Sequence, residues 1–137
     1  LDYLTGGAGN DVFVAEIADG KIASKNGPIS VDVVMDFQAG DKIDLHGIDA
    51  NALQAGLQSF SWVGQAAGKG AGELSFQSFG NMEAAEKALG MELDGVDGKS
   101  PWDGPVTVVF GNVDGGAPDF ALVLVNTQTI HSTDFIF

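Results

Sequence analysis

Gly6-Gly7-Ala8-Gly9-Asn10-Asp11-Val12-Phe13-Val14 is the stretch whose reading sets the fold, because it fits the nonapeptide G-G-x-G-x-D-x-U-x, with U a large apolar residue. Glycine lets the backbone take positive φ and brings successive carbonyls toward a common point. Asp11 adds a carboxylate at the sixth position, and Phe13 is the inward side chain of a short strand that ties the turn to a core. Asp2 and Leu4 lie nine residues before Asp11 and Phe13, so residues 1–5 read as the closing half of a preceding repeat. Carbonyl and carboxylate oxygens suit a hard dication with a high coordination number, calcium rather than zinc or copper. One turn supplies too few of them, so a neighbouring turn on the same edge has to supply the rest.

The sequence offers such a turn. Residues 31–35 and 42–45 read as strands flanking residues 36–41. From Asp11 the chain runs through strand 12–14, crosses a longer loop at 15–30, and returns on 31–35 to the original edge. The expected ligand set is therefore Gly7, Gly9 and Asp11 from the first turn, completed by Asp36 and Asp41 from the second. Asp2 falls on the opposite edge, or in a site whose other half lies outside this sequence. The competing reading is a glycine-rich hairpin whose aspartates are simply solvated.

Composition agrees with a folded, cation-seeking chain. Leu, Ile, Val and Phe supply 39 of 137 residues, 28%, above the ~20% below which a highly charged chain stays disordered. Fourteen Asp and five Glu face six Lys and no Arg, for a formal charge of −13. Without Arg forks or a basic patch, nucleic acid and anionic membrane surfaces are poor partners. The absence of Cys excludes disulfides, zinc–thiolate sites and thiol catalysis. No 18-residue apolar run exists to span a membrane. The chain opens inside a motif and without Met, which gives the expectation that it is the C-terminal piece of a longer protein.

The remainder reads as short strands between glycine-rich turns, at 59–63, 73–76, 106–110 and 120–125. The last two, joined by the turn 111–119, predict an antiparallel hairpin in the core. Residues 81–89 predict a helix, with Asn81 as N-cap, Met82, Ala85 and Leu89 on one face, and Gly90 to stop it. Glu83 and Glu86 are expected on its wet face, and 49–53 forms at most a short turn. The stretch 94–105 holds too many breakers for regular structure.

The nonapeptide resembles the repeat of RTX proteins, the calcium-binding substrates of bacterial type I secretion. Asp36-Phe-x-x-Gly-Asp-Lys-Ile-Asp-Leu-x-Gly-Ile-Asp49 resembles the region after the last repeats of serralysin-type metalloproteases. Ala71-Gly-Glu-Leu74 and the segment Gly111-Asn-Val-Asp-Gly-Gly-Ala-Pro-Asp-Phe-Ala-Leu122 resemble that region too. Ser132-Thr-Asp-Phe-Ile-Phe137 is similar to the family's terminal secretion signal, here Asp134, Phe135, Ile136 and Phe137. The resemblance implies an all-β fold: the last turns of a right-handed parallel β-roll at 1–14, merging into a β-sandwich-like cap at 15–137 with one short helix. It also implies secretion, calcium as the ligand, and the exporter and upstream domains of the same protein as partners. Residues 77–105 stand out as an insertion, Asp114-Gly-Gly116 replaces the Asp-Gly-Asp common in relatives, and Phe137 replaces the more usual Val. A hairpin turn is therefore preferred over a further site at Asn112, Asp114 and Asp119.

Other constellations are weaker. His46 and His131 are the only histidines and no His-Glu-x-x-His stretch occurs, so the family's zinc protease centre is not in this chain. Ser132, His131 and Asp134 are too close in sequence to converge on one reacting atom. Nothing fixes the spacing of Glu73, Glu83, Glu86 and Glu92 as a glycosidase pair, and Asp94, Asp97 and Asp103 lack calcium-loop spacing. Trp62 is expected in the core and Trp102 on the surface. The expectation is a calcium-binding folding, capping and secretion domain without a catalytic centre, from a parent similar to a secreted zinc metalloprotease. The alternative is an adhesion or ligand-binding module that uses 77–105.

Overall fold

Alternation and glycine punctuation divide the described residues into nine short strands and one α-helix. The computed structural model describes residues 1–17, 21–25, 27–66, 69–95, 102 and 104–137. In chain order the elements are β1 (Tyr3–Leu4), β2 (Val12–Val14), β3 (Ser30–Val34), β4 (Lys42–Asp44), β5 (Ser61–Gly64) and β6 (Glu73–Phe79). They are followed by α1 (Met82–Leu89), β7 (Val106–Asn112), β8 (Phe120–Val125), a 3-10 turn (Ser132–Asp134) and β9 (Phe135–Ile136). The fold is mainly β with one short helix.

The strands form two sheets. The larger has the order β1-β3-β8-β7-β6-β5 and the smaller β2-β4-β9. Parallel pairing is confined to part of this arrangement. β1/β3, β3/β8, β5/β6, β2/β4 and β4/β9 are parallel, whereas β6, β7 and β8 pair antiparallel, including the expected β7–β8 hairpin. Tyr3 lies opposite Val33 and Val12 opposite Lys42, so one 30-residue offset governs both sheets. β8 and β9 add a third layer: Ser30 faces Phe120 at an offset of 90, and Ile43 faces Phe135 at 92. The third turn is therefore two residues longer than the second.

Period-two alternation then sorts the apolar side chains. Phe120, Leu122 and Leu124 join Phe13, Ile43 and Phe135 in the cluster between the two sheets. Ala121, Val123 and Val125 face the other way and meet Met82, Ala85 and Leu89 of α1. With both faces of β8 covered, its sequence is an unbroken apolar run. α1 ends as the sequence predicts: Asn81 accepts from the Ala84 N–H, and Gly90 takes φ 69° as the left-handed stop.

Two expectations are corrected by this packing. Trp102 is half-buried, 5.8 Å from the Tyr3 ring, and packs against the cluster under α1 instead of standing on the surface. Glu86 is 8% exposed, not on a wet face, because the chain after Gly90 folds back over the helix. Its Oε1 accepts from the Leu93 N–H at 2.8 Å and the Asp94 N–H at 3.2 Å.

β7 and β8 approach so closely at Gly111 that an added Cβ would enter the Phe120 ring. Overpacking a buried site costs roughly 1–3 kcal/mol. Gly111→Ala is expected to lower stability by that amount in urea unfolding, and a change within about 0.5 kcal/mol, the usual surface value, would contradict the packing described.

Candidate metal centre

The 30-residue offset places turn 36–41 on turn 6–11 and matches their residues one to one. Asp36, opposite Gly6, accepts from the Gly6 N–H at 2.9 Å and the Gly7 N–H at 2.8 Å. Asp41, 1% exposed, accepts from the Asp11 N–H and the Gln38 N–H, both at 2.9 Å. Carboxylate acceptors make such bonds roughly twice as strong as neutral ones. These two aspartates pin one turn to the other.

The upper turn presents its oxygens differently. The Gly7 and Gly9 carbonyls both accept from a single atom, Gln38 Nε2, at 3.2 and 3.1 Å. Their lone pairs therefore converge on one point, as the glycine conformations at φ 92° and 110° allow. Asp11 Oδ2 is buried without a hydrogen-bond partner, which is costly for a carboxylate oxygen. Gly6 has no Cβ where one would stand 2.6 Å from that oxygen. The convergent carbonyls and the orphaned carboxylate oxygen fit a hard cation.

Of the expected ligands, the structure brings Gly7, Gly9, Asp11, Asp36 and Asp41 to one edge. It commits Asp36 and Asp41 to backbone N–H groups, and the three carboxylates do not gather within 4.8 Å. Gln38 is the residue of this edge that sequence reading missed. Its signal was its place opposite Ala8 in the second turn.

Among the described residues, Glu86, Glu92 and Asp94 form an acidic group, each with a carboxylate oxygen within 4.8 Å of the others, able to hold a metal ion. Asp97 and Asp103, considered with Asp94 from the sequence, lie outside the described residues. A hydrogen bond with the Asp94 carboxyl, burial and the Glu86 charge push Glu92 up to about 7. Asn112 bonds within its own turn, to Gly116 O and the Gly115 N–H, while Asp119 accepts from the Val113 N–H and pairs with Lys21 at 3.3 Å. His46 is exposed and contacts Asp44 at 2.5 Å; its backbone N–H and ring hold the Asp44 carboxyl below its ordinary value.

The terminal segment is folded into the smaller sheet. Asp134 accepts from the His131 N–H at 2.8 Å, Phe135 is buried against Trp62 at 5.1 Å, Ile136 pairs with Asp44, and Phe137 stacks on Phe135 at 5.7 Å. Lys42 donates to the Thr133 carbonyl and ties the second layer to the third. No family model matches the chain, and no curated protein matches its sequence.

The raised Glu92 carboxyl sets a pH dependence. Between the ordinary value of 4.5 and about 7 the folded chain binds the proton more tightly than the unfolded one. Stability from this group is therefore full at the acid end of that window and falls as pH rises through it. Glu92→Gln is expected to flatten that fall in melting temperature measured against pH in EDTA. Parallel curves for the two proteins would contradict the proton-sharing geometry.

Proposed function

We propose that this chain is a calcium-binding folding and capping unit of a larger secreted RTX-type protein, with a serralysin-like zinc metalloprotease as the leading parent. In this reading the paired 30-residue layers are the last turns of a right-handed parallel β-roll, β8 and β9 close its end, and the chain carries no catalytic centre of its own. The observation that supports it most is Asp11 Oδ2, buried without a hydrogen-bond partner in the turn whose Gly7 and Gly9 carbonyls converge on one atom.

Calcium would supply a double positive charge to those oxygens. The chain's own residues do the rest. Asp36 and Asp41 lock the second turn beneath the first, and Gln38 holds the two carbonyls aligned with a neutral amide that a cation would replace. In a chain of net charge −13, binding also relieves self-repulsion in the compact state. A ligand bound only to the folded form stabilises it by RT ln(1 + [L]/Kd), about 1.4 kcal/mol at ten times Kd. Extracellular modules bind calcium at roughly 10⁻⁴–10⁻³ M, so the same site is empty at cytosolic levels and filled outside. Once folded, Phe135 is buried and Phe135–Ile136 pair with β4, while Ile136 and Phe137 stay exposed, so in this reading an exporter takes the whole segment from the unfolded chain.

Calorimetry and thermal melts of the full chain test this. Calcium at ten times Kd is expected to raise the melting temperature by about 3–6 °C over EGTA. Asp11→Asn is expected to remove most of the shift while keeping the fold. A melting temperature indifferent to millimolar calcium in the parent chain would overturn the proposal.

A further inference from the structure

Away from the turn edge, on the α1 side of the larger sheet, lies a cavity of about 600 Å³. Its floor is sheet: Ser75 and Phe110 are direct cross-strand partners, and Gln77 follows Ser75 on the same face. Its walls are the end of α1 at Ala88 and Leu89, the loop before β3, the loop between β5 and β6, and the β7–β8 turn. The walls are held in pairs by backbone bonds. The Lys25 N–H donates to Leu89 O at 2.9 Å, and the Gly116 N–H donates to Lys69 O at 3.0 Å. Such a cavity is pre-formed and lies within the roughly 300–1,000 Å³ usual for small-ligand sites.

The chemistry of its lining is selective. Nineteen of the chain's 137 residues are acidic, yet none of the described residues lining this cavity is Asp or Glu. Such a lining gives a cation no carboxylate to bind. Among the described lining residues Lys69 alone is charged, and it stands in a molecule of net charge −13 whose field repels anions. What remains is a half-buried aromatic ring flanked by side-chain amides and hydroxyls, Gln65, Gln77, Ser24 and Ser75. An apolar ring face beside neutral groups that both donate and accept matches the two surfaces of a pyranose, C–H on one side and hydroxyls at the edge.

We propose that this cavity binds a neutral saccharide of one or two rings, with Phe110 under a sugar face and Gln77 bonding its hydroxyls. The site is independent of the calcium reading, because it shares no residue with turns 6–11 and 36–41.

The test is saturation-transfer NMR and calorimetry on the full chain, in calcium and in EGTA, with glucose, galactose, mannose, N-acetylglucosamine, maltose, lactose and, as an anionic probe, glucuronate. At least one neutral sugar is expected to bind. Gln77→Ala, at an exposed strand position, is expected to weaken that binding several-fold with the melting temperature unchanged. Ala88→Trp, which places a bulky ring in the cavity from an exposed helix position, is expected to abolish it. Binding of no neutral sugar, binding of glucuronate alone, or neutral-sugar binding unchanged in both variants would each overturn the assignment.

Discussion

Two carboxylates bonded to backbone N–H groups one layer away set the geometry on which the rest of the molecule depends. Asp36 holds Gly6 and Gly7, and Asp41 holds Asp11 across the layers while also accepting from Gln38 of its own turn. Together they impose a 30-residue offset on two turns whose lengths match. That offset is what lets β1 pair with β3 in one sheet while β2 pairs with β4 in the other. A slip of one residue would turn Phe13 and Ile43 out of the core, since side chains alternate along a strand. The same pinning leaves the Gly7 and Gly9 carbonyls free to face a common point.

The layer above this pair is built differently. β8 and β9 continue both sheets, but their connecting turn carries two additional residues and no glycine pattern. Its contacts differ accordingly. Lys42 reaches the Thr133 carbonyl and the Leu45 N–H donates to Ile136 O, so the second and third layers are joined through an ammonium and backbone bonds, while Asp134 accepts from the His131 N–H within its own turn. Beyond β8 the sheet turns antiparallel through β7 and β6, and α1 covers its outer face. Stacked layers expose an apolar end unless something different covers it. Here β6, β7 and α1 do so for the larger sheet.

Much of this was legible in the sequence, for reasons that particular residues make plain. The first nonapeptide and the apolar run 120–125 have unambiguous periods, and the helix at 82–89 carries its own start and stop in Asn81 and Gly90. Burial of Glu86 was not legible, because it depends on where the chain goes after Gly90 and not on the helix itself. Trp102 escaped for the same reason: its partner Tyr3 is far away in sequence and meets it only through sheet order. β6 extends to Phe79, past the short strand expected at 73–76, because pairing with β7 stabilises residues that alternation alone would leave undecided. In the candidate site the edge and its five residues could be read, whereas the division of labour could not. Asp36 and Asp41 bond backbone, Gln38 bridges two carbonyls, and Asp11 alone keeps a buried oxygen without a partner.

In the proposed reading the convergent Gly7 and Gly9 carbonyls, with Asp11, form a seat for calcium. Anomalous diffraction from crystals grown with millimolar calcium tests it most directly. An anomalous peak bounded by those two carbonyls and the Asp11 carboxylate is expected, with the Gln38 amide displaced. No peak there, and Gln38 still bonded to both carbonyls, would contradict it.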